Sequence, residues 1–391
     1  MSRSGTGIAI LQNGSSVPRA NNGMLNLSGS STAVRVDHCH LNILSGAVGV
    51  RFDGPLNGVI DHVYFESPAN SLTNDVAFHN GAGTNADASW ADTDHFGSSQ
   101  FLFVEDSRFR NGDIGDGHDG ARFVLRYNTS TTDVGGHGQM YTHGVTDARG
   151  RATRAAEVYN NTFFQPNEGA GNPVYSLNSG TLLFWGNTVT RYKGAIQMDY
   201  TRSSNATYTY QVPPNGWGYC NGTSAWDGNN NSSGYPCLDS PARGAGDLLS
   251  GNFPNVINTR TGNIAWPAQV RSPVYVWNIT YTPWGSAGLI SAASMFTANN
   301  DYYQQSGSFN GTMGVGQGLL SARPSTCTAG PGGNTPGVGY WATDQNTLYV
   351  CTATNTWTQY YTPYTYPHPL TTQGGTTPPP APPTNLTTSV H

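Results

Sequence analysis

Apolar and polar positions alternate in short bursts along this chain, and the bursts recur. Each burst is apolar at every second position, breaks at a polar residue, passes a small or polar residue and resumes. It reads VRVDHCHL at 34–41, VIDHVYF at 59–65, FVEDSRF at 103–109, FVLRYNTS at 123–130, EVYNNTF at 157–163 and LFWGNTV at 183–189, with a looser copy, VYVWNITY, at 274–281. With Val36 as anchor, the equivalent residues are Ile60, Val104, Leu125, Val158 and Phe184, at steps of 24, 44, 21, 33 and 26 residues. Period two, filled by β-branched and aromatic residues, predicts short strands. One such strand cannot bury its apolar face alone. Recurring at the length of one coil, the strands can stack in parallel and enclose a continuous core. The expected fold is all-β, a right-handed parallel β-helix over 1–305. The 44-residue step is either two coils or one coil carrying an inserted loop at 67–100. Asn128, Asn161 and Asn187 fall at the bends, where Asn tolerates left-handed angles and stacked amides can bond along the axis. The competing architecture is a β-sandwich of similar strands.

The phrase vanishes over 201–272, a stretch too long for a bare loop. Cys220 and Cys237 bracket part of it, so a disulfide-stapled insertion beside the helix is expected. Beyond 305 the pattern changes. GYWATD and TLYVCT alternate around Gln345 and Asn346, which predicts a small β-hairpin module over 306–370, stapled by Cys327 and Cys351. Residues 371–391 hold TTPPPAPPTNL, a Pro-rich extended linker. Cys39 reads as a small buried apolar residue.

Composition narrows the classes. Charged residues are 10% and glycines number 49, against a helical or coiled-coil protein. The net charge is −5, with Lys193 the one lysine, so no basic stripe marks a nucleic-acid partner. No run of eighteen apolar residues marks a membrane span. No apolar leader is visible at the N-terminus, but the repeat is already under way there, so an upstream segment is expected. Two disulfides point to a secreted or cell-surface protein.

The chemistry-bearing residues concentrate between Asp113 and Asn161. Asp113, Asp116 and Asp119 stand in GDIGDGHDG, read as a Gly-rich loop. Three close carboxylates on a flexible loop suit Ca2+, with Asn111 and Glu105 as further ligands. Asp and Gly also build tight turns without any ion. Arg149, Arg151 and Arg154 follow, crowded enough to neutralise an anionic substrate. His137 and His143 flank Tyr141 and are candidate acid–base groups. Arg126 and Lys193 are further candidate cations for substrate, and Tyr159 and Trp185 offer aromatic faces to sugar rings. A hydrolase would instead use Asp147 with Asp133 or Glu157 as paired carboxylates.

The repeat resembles the pectate-lyase-like superfamily over about 25–305. That family carries R-x-P-x-x-R before a strand ending Y-N-N. Here Arg149-x-Arg151-x-x-Arg154 precedes EVYNN at 157–161. Its calcium ligands lie one coil earlier, before a strand ending S-Y-N. Here Asp113, Asp116 and Asp119 precede LRYN at 125–128. VRVDH and VIDH are similar to its V-W-I-D-H. Arg151 replaces the central Pro, and His137, His143 or the distant Lys193 must stand in for its lysine. The resemblance implies a Ca2+-assisted polysaccharide lyase acting on a uronate glycan, with Arg149 as base and Arg151 and Arg154 holding carboxylate. Two alternatives stay open. One is a non-catalytic adhesive or fibre-forming protein that self-assembles or attaches to a cell surface; the other is a β-helix glycoside hydrolase.

Overall fold

A computed structural model describes residues 8–12, 23–43, 48–68, 73–82, 87–133, 140–142, 152–167, 172–199, 239–244, 256–257, 264–266, 270–293, 296–331 and 335–372. Its body is a parallel β-helix of three eight-stranded sheets. Sheet 1 holds Ser31–Asp37, Leu56–Asp61, Leu102–Glu105, Arg122–Arg126, Ala155–Tyr159, Thr181–Trp185, Val274–Trp277 and Tyr302–Gln304. Sheet 2 runs from Ile8–Gln12 through Tyr64–Glu66, Arg108–Arg110 and Thr129–Thr131 to Thr280–Thr282. Sheet 3 runs from Gly23–Ser28 through Asn74–His79, Asp113–Gly117, Met140–Thr142 and Tyr175–Leu177 to Ile290–Ala292. The chain visits the sheets in the order 1, 2, 3 and repeats.

The recurring phrase is the corner from sheet 1 to sheet 2. The anchors pair in register: Val36 with Ile60, Ile60 with Val104, Val104 with Leu125, Leu125 with Val158, Val158 with Phe184, and Phe184 with Val276. The residue that breaks each burst turns the chain with a left-handed φ: His38 at 49°, His62 at 54°, Asp106 at 51°, Tyr127 at 56°, Asn160 at 54°, Gly186 at 65° and Asn278 at 54°. A single αL residue between two strands redirects the chain without a loop, which is why this corner keeps its length on every rung.

The next position carries the expected ladder. Asn128 Nδ2 donates to Asn161 Oδ1 at 3.0 Å, and Asn161 Nδ2 donates to Asn187 Oδ1 at 3.1 Å. Asn161 Nδ2 also reaches the Leu125 carbonyl at 2.9 Å, and its Oδ1 accepts from the Asn128 backbone at 2.9 Å. All three side chains are buried. Asn161→Ala leaves these groups without partners, so we expect a loss of about 2 kcal/mol. Thermal melting of the variant checks this; an unchanged midpoint would show the ladder to be incidental.

The 44-residue step is one coil, since Ile60 pairs directly with Val104. The added residues lie between His79 and Leu102 and include a helix, Asp87–Ala91. The insertion after Met198 rejoins sheet 1 at Val274. In chain order, both insertions and the residues 143–154 fall between a strand of sheet 3 and the next strand of sheet 1. Cys220 and Cys237 lie outside the described residues.

Residues 306–372 form the small module. Gly339–Ala342 and Thr347–Ala353 make the expected hairpin, and Thr356–Tyr361 extends it in antiparallel fashion. Val315–Gly318 joins on the other side as a parallel strand. Cys327 and Cys351 are bonded, with Cα atoms 5.8 Å apart. The module packs on the outer face of sheet 1. There Tyr159, Trp185, Tyr275 and Trp277 share a second core with Val315, Trp341, Leu348 and Tyr361. Tyr159 stacks on Trp185 at 4.5 Å and Trp185 on Trp277 at 5.6 Å, each contributed by a successive rung. The other core fills the inside of the helix, from Val36 and Leu41 to Val276 and Phe296.

Candidate functional site

The predicted site residues divide between two faces. On sheet 1, one outward column runs Asp37, Asp61, Glu105, Arg126, Tyr159, Trp185 and Trp277, each in register with the next. Arg126, Tyr159 and Trp185, read from the sequence as substrate contacts, are buried beneath the module. Arg126 Nε donates to Glu105 Oε2 at 2.7 Å. Its other nitrogens donate to Tyr159 Oη at 3.0 Å and to the carbonyls of Tyr364 and Thr365 at 2.8 and 2.9 Å. The partner this face grips is the chain's own C-terminal segment, so these three residues are placed where they hold the module.

The acidic trio behaves differently. Asp113–Gly117 is a strand of sheet 3, where the sequence suggested a loop. Side chains three apart on a strand point to opposite sides. Asp113 accordingly lies in the electrostatic field of the buried Asp75 and Tyr192, while Asp116 is in register with Tyr141. Asp119 stands past the strand, at the turn, with φ of 53°. Among the described residues the three do not converge as one metal cage. The group whose ligand atoms do lie within 4.8 Å of one another is Asp37, His38 and Asp61.

What Asp116 and Asp119 do meet is imidazole. His118 Nε2 lies 3.1 Å from Asp116 Oδ1, and His79 Nδ1 lies 2.8 Å from Asp119 Oδ2. The two rings stack with centroids 5.1 Å apart. His118 is fully buried and His79 nearly so. His79 ends its strand just as His118 follows the next one, because Phe78 and Gly117 pair. Sequence reasoning missed His79; its signal was the same corner one rung earlier. Nearby, burial pushes the Asp75 carboxyl well above its ordinary value, with Ser67 Oγ donating to it at 3.1 Å.

Sheet 3 also presents a polar column along the helix axis. Arg51, Ala77, Asp116, Tyr141, Ser176, Gln197 and Ser291 follow one another in register. All but Ala77 are polar, at about 4.8 Å per rung.

The remaining candidates border this face in sequence. His137 and His143 flank Met140–Thr142, the rung that carries Tyr141, but both lie outside the described residues, as do Arg149 and Arg151. Arg154 is described, and its guanidinium is 1% exposed. It pairs with Asp94 at 2.5 Å, donates to the Asp92 carbonyl at 2.9 Å and lies 5.4 Å over the Trp90 ring. Asp94 in turn accepts from Ser272 Oγ at 2.8 Å. Arg154 thus braces two insertions together. Burial, then the nearby Arg154 charge, lower the Arg122 guanidinium to about 10. Lys193 is exposed at the bend before Ile196–Met198.

No family model matches the chain, and neither curated proteins nor solved structures gave a match.

Proposed function

We propose that this is an extracellular β-helix protein that binds and processes an acidic polysaccharide along the outer face of sheet 3. The observation that carries the reading is the polar column through Asp116 and Tyr141, set beside two imidazole–carboxylate pairs. A linear polymer lying along the axis would pass a polar side chain on every rung but that of Ala77, with Tyr141, Gln197 and Ser291 open to it and Asp116 buried among them. His79, oriented by Asp119, is suited to move a proton; His118, oriented by Asp116, is fully buried and stacks on it. Arg149 and Arg151 follow Met140–Thr142 in the sequence, and guanidinium groups match a uronate carboxylate. A disulfide, and the lack among the described residues of a helix long and apolar enough to cross a membrane, fit an extracellular setting.

Elimination across a uronate needs the ring carboxylate neutralised and the adjacent proton removed. In this reading the arginines do the first and an imidazole the second; the C–H electron pair forms the new C–C double bond as the C–O bond to the leaving sugar breaks, and Tyr141 supplies the proton that the departing oxygen takes. The chemistry matches the pectate-lyase-like resemblance, with His79 acting where that family uses other groups. Because Asp113, Asp116 and Asp119 do not converge, no step is assigned to Ca2+ on them.

The full chain should be incubated with a panel of polyuronates. Elimination gives an unsaturated product that absorbs in the ultraviolet; hydrolysis gives new reducing ends without that absorbance. Asp116→Asn should lower turnover at least about 100-fold. Tyr141→Phe, at a half-exposed position, should reduce turnover while leaving the melting midpoint in place. Wild-type protein that neither binds nor cleaves any polyuronate ends this reading. The favoured account would then be the adhesive scaffold, which the internal pairing of Asp116, Asp119 and Arg154 also suits.

A further inference from the structure

On the coil that carries His79 and the one before it, the corner between sheets 1 and 2 holds two imidazoles that the glycan reading leaves unused. His38 and His62 occupy equivalent left-handed positions on adjacent rungs, because Asp37 pairs with Asp61. Their rings are parallel to within 2°, with centroids 4.8 Å apart. Each side chain is 51% exposed. Each Nδ1 faces the carboxylate of the preceding residue: His62 lies 3.0 Å from Asp61 Oδ2, and His38 lies 3.5 Å from Asp37 Oδ2. A carboxylate on Nδ1 holds the proton there and leaves Nε2 as the outward lone pair, the arrangement that metal-binding histidines use.

We infer that His38 and His62 form a binding site for a borderline transition-metal ion such as Zn2+, with Asp37 and Asp61 as supporting carboxylates. Arg35 decides against a hard cation. Its Nε and Nη2 donate to the two Asp61 oxygens at 2.8 and 2.9 Å, and Nη2 lies 3.2 Å from Asp37. One guanidinium therefore grips both carboxylates, and a Ca2+ or Mg2+ ion that took their oxygens would have to displace it. Imidazole nitrogens are the ligands left open, and these suit Zn2+, Cu2+ or Ni2+.

The reach is close. Two Zn–N bonds of about 2.1 Å span at most about 4.2 Å. Tetrahedral coordination brings the two nitrogens to about 3.4 Å with both lone pairs aimed at the ion, so the parallel rings must swing out of their stack and turn toward a common point, which half-exposed side chains have room to do. Asp106 follows at the same corner position on the next rung, with φ of 51°. Tyr366 Oη donates to its Oδ1 at 2.8 Å, so Asp106 is held by the C-terminal segment; the acidic and imidazole ligand atoms that lie within 4.8 Å of one another are those of Asp37, His38 and Asp61. Water fills the remaining positions of an open site of this kind.

The test uses the full chain stripped of metal with chelator. Zn2+ is titrated calorimetrically, and Co2+ is added as a spectroscopic probe. We expect one equivalent to bind, weakened at least tenfold in His38→Asn and in His62→Asn, with Ca2+ failing to compete. Asn is the replacement because it tolerates the left-handed φ, as Asn160 and Asn278 do at the same corner. Zn2+ should raise the melting midpoint of the wild type and leave that of the double variant unmoved. Absence of saturable Zn2+ binding, or equal affinity in the double variant, overturns the assignment.

Discussion

Arg126→Met is expected to destabilise the protein by about 3–5 kcal/mol and to loosen the module from sheet 1. Arg126 and Glu105 are both fully buried, so the substitution leaves a carboxylate in a dry interface without its counter-charge. Even with Arg126 present, burial holds the Glu105 carboxyl above its ordinary value. The variant also removes the donors to Tyr364 and Thr365, and the cation resting 4.7 Å from the Phe103 ring and 5.2 Å from the Tyr366 ring. Denaturant unfolding measures the loss. Tryptophan fluorescence reports the loosening, because Trp185, Trp277 and Trp341 meet at this interface. The companion variant, Glu105→Leu with Arg126→Met, should recover more than half of the loss, since an apolar pair does not leave a charge stranded. If the single variant loses under about 1 kcal/mol, the pair is incidental and the aromatic face alone holds the module.

The same interface marks where sequence reading ran out. The coil register was readable because each rung repeats one local event, an αL residue between two short strands, within a few positions. The Asn ladder followed from that register. Sheet 3 was hidden where the acidic trio falls: Val48–Asp53 and Asn74–His79 alternate apolar residues, but in Asp113–Gly117 the positions in register with Val76 and Phe78 are Gly115 and Gly117, which leaves no alternating apolar signature. Asp113–Gly117 therefore read as a loop, and its three carboxylates as a cage. The covering of Arg126, Tyr159 and Trp185 was equally hidden. Arg126 finds the Tyr364 carbonyl 238 residues away, and nothing in FVLRYN signals that distance. Hydrophobic pattern shows that a face wants covering, but not whether substrate or the chain itself covers it.

Two titratable groups in that covered face should give the protein opposing pH dependences that single variants separate. Burial pushes the Glu157 carboxyl from 4.5 up to about 7, against the Gly97 N–H at 2.7 Å and the Tyr361 hydroxyl at 2.8 Å that favour its charge. Burial, then the Arg126 charge, lower His368 from 6.5 to about 4. For Glu157 the folded chain holds its proton more tightly than the unfolded chain. Its stabilisation is complete below pH 4.5 and is lost as pH rises to about 7, a change of about 3 kcal/mol. His368 works the other way. The unfolded chain takes the proton first, so stability is full above pH 6.5 and falls as pH drops toward 4. Glu157→Gln mimics the protonated acid. Relative to wild type it should gain stability steadily between pH 4.5 and 7 and then hold a plateau. His368→Phe should instead gain relative to wild type as pH falls from 6.5 to 4. Contributions from Glu105 and Asp75 are common to all three proteins and cancel in the differences. Denaturant midpoints at half-unit pH steps supply the comparison. Parallel curves for wild type and Glu157→Gln would mean that water reaches the carboxylate, and that the seal between module and helix is open at Glu157.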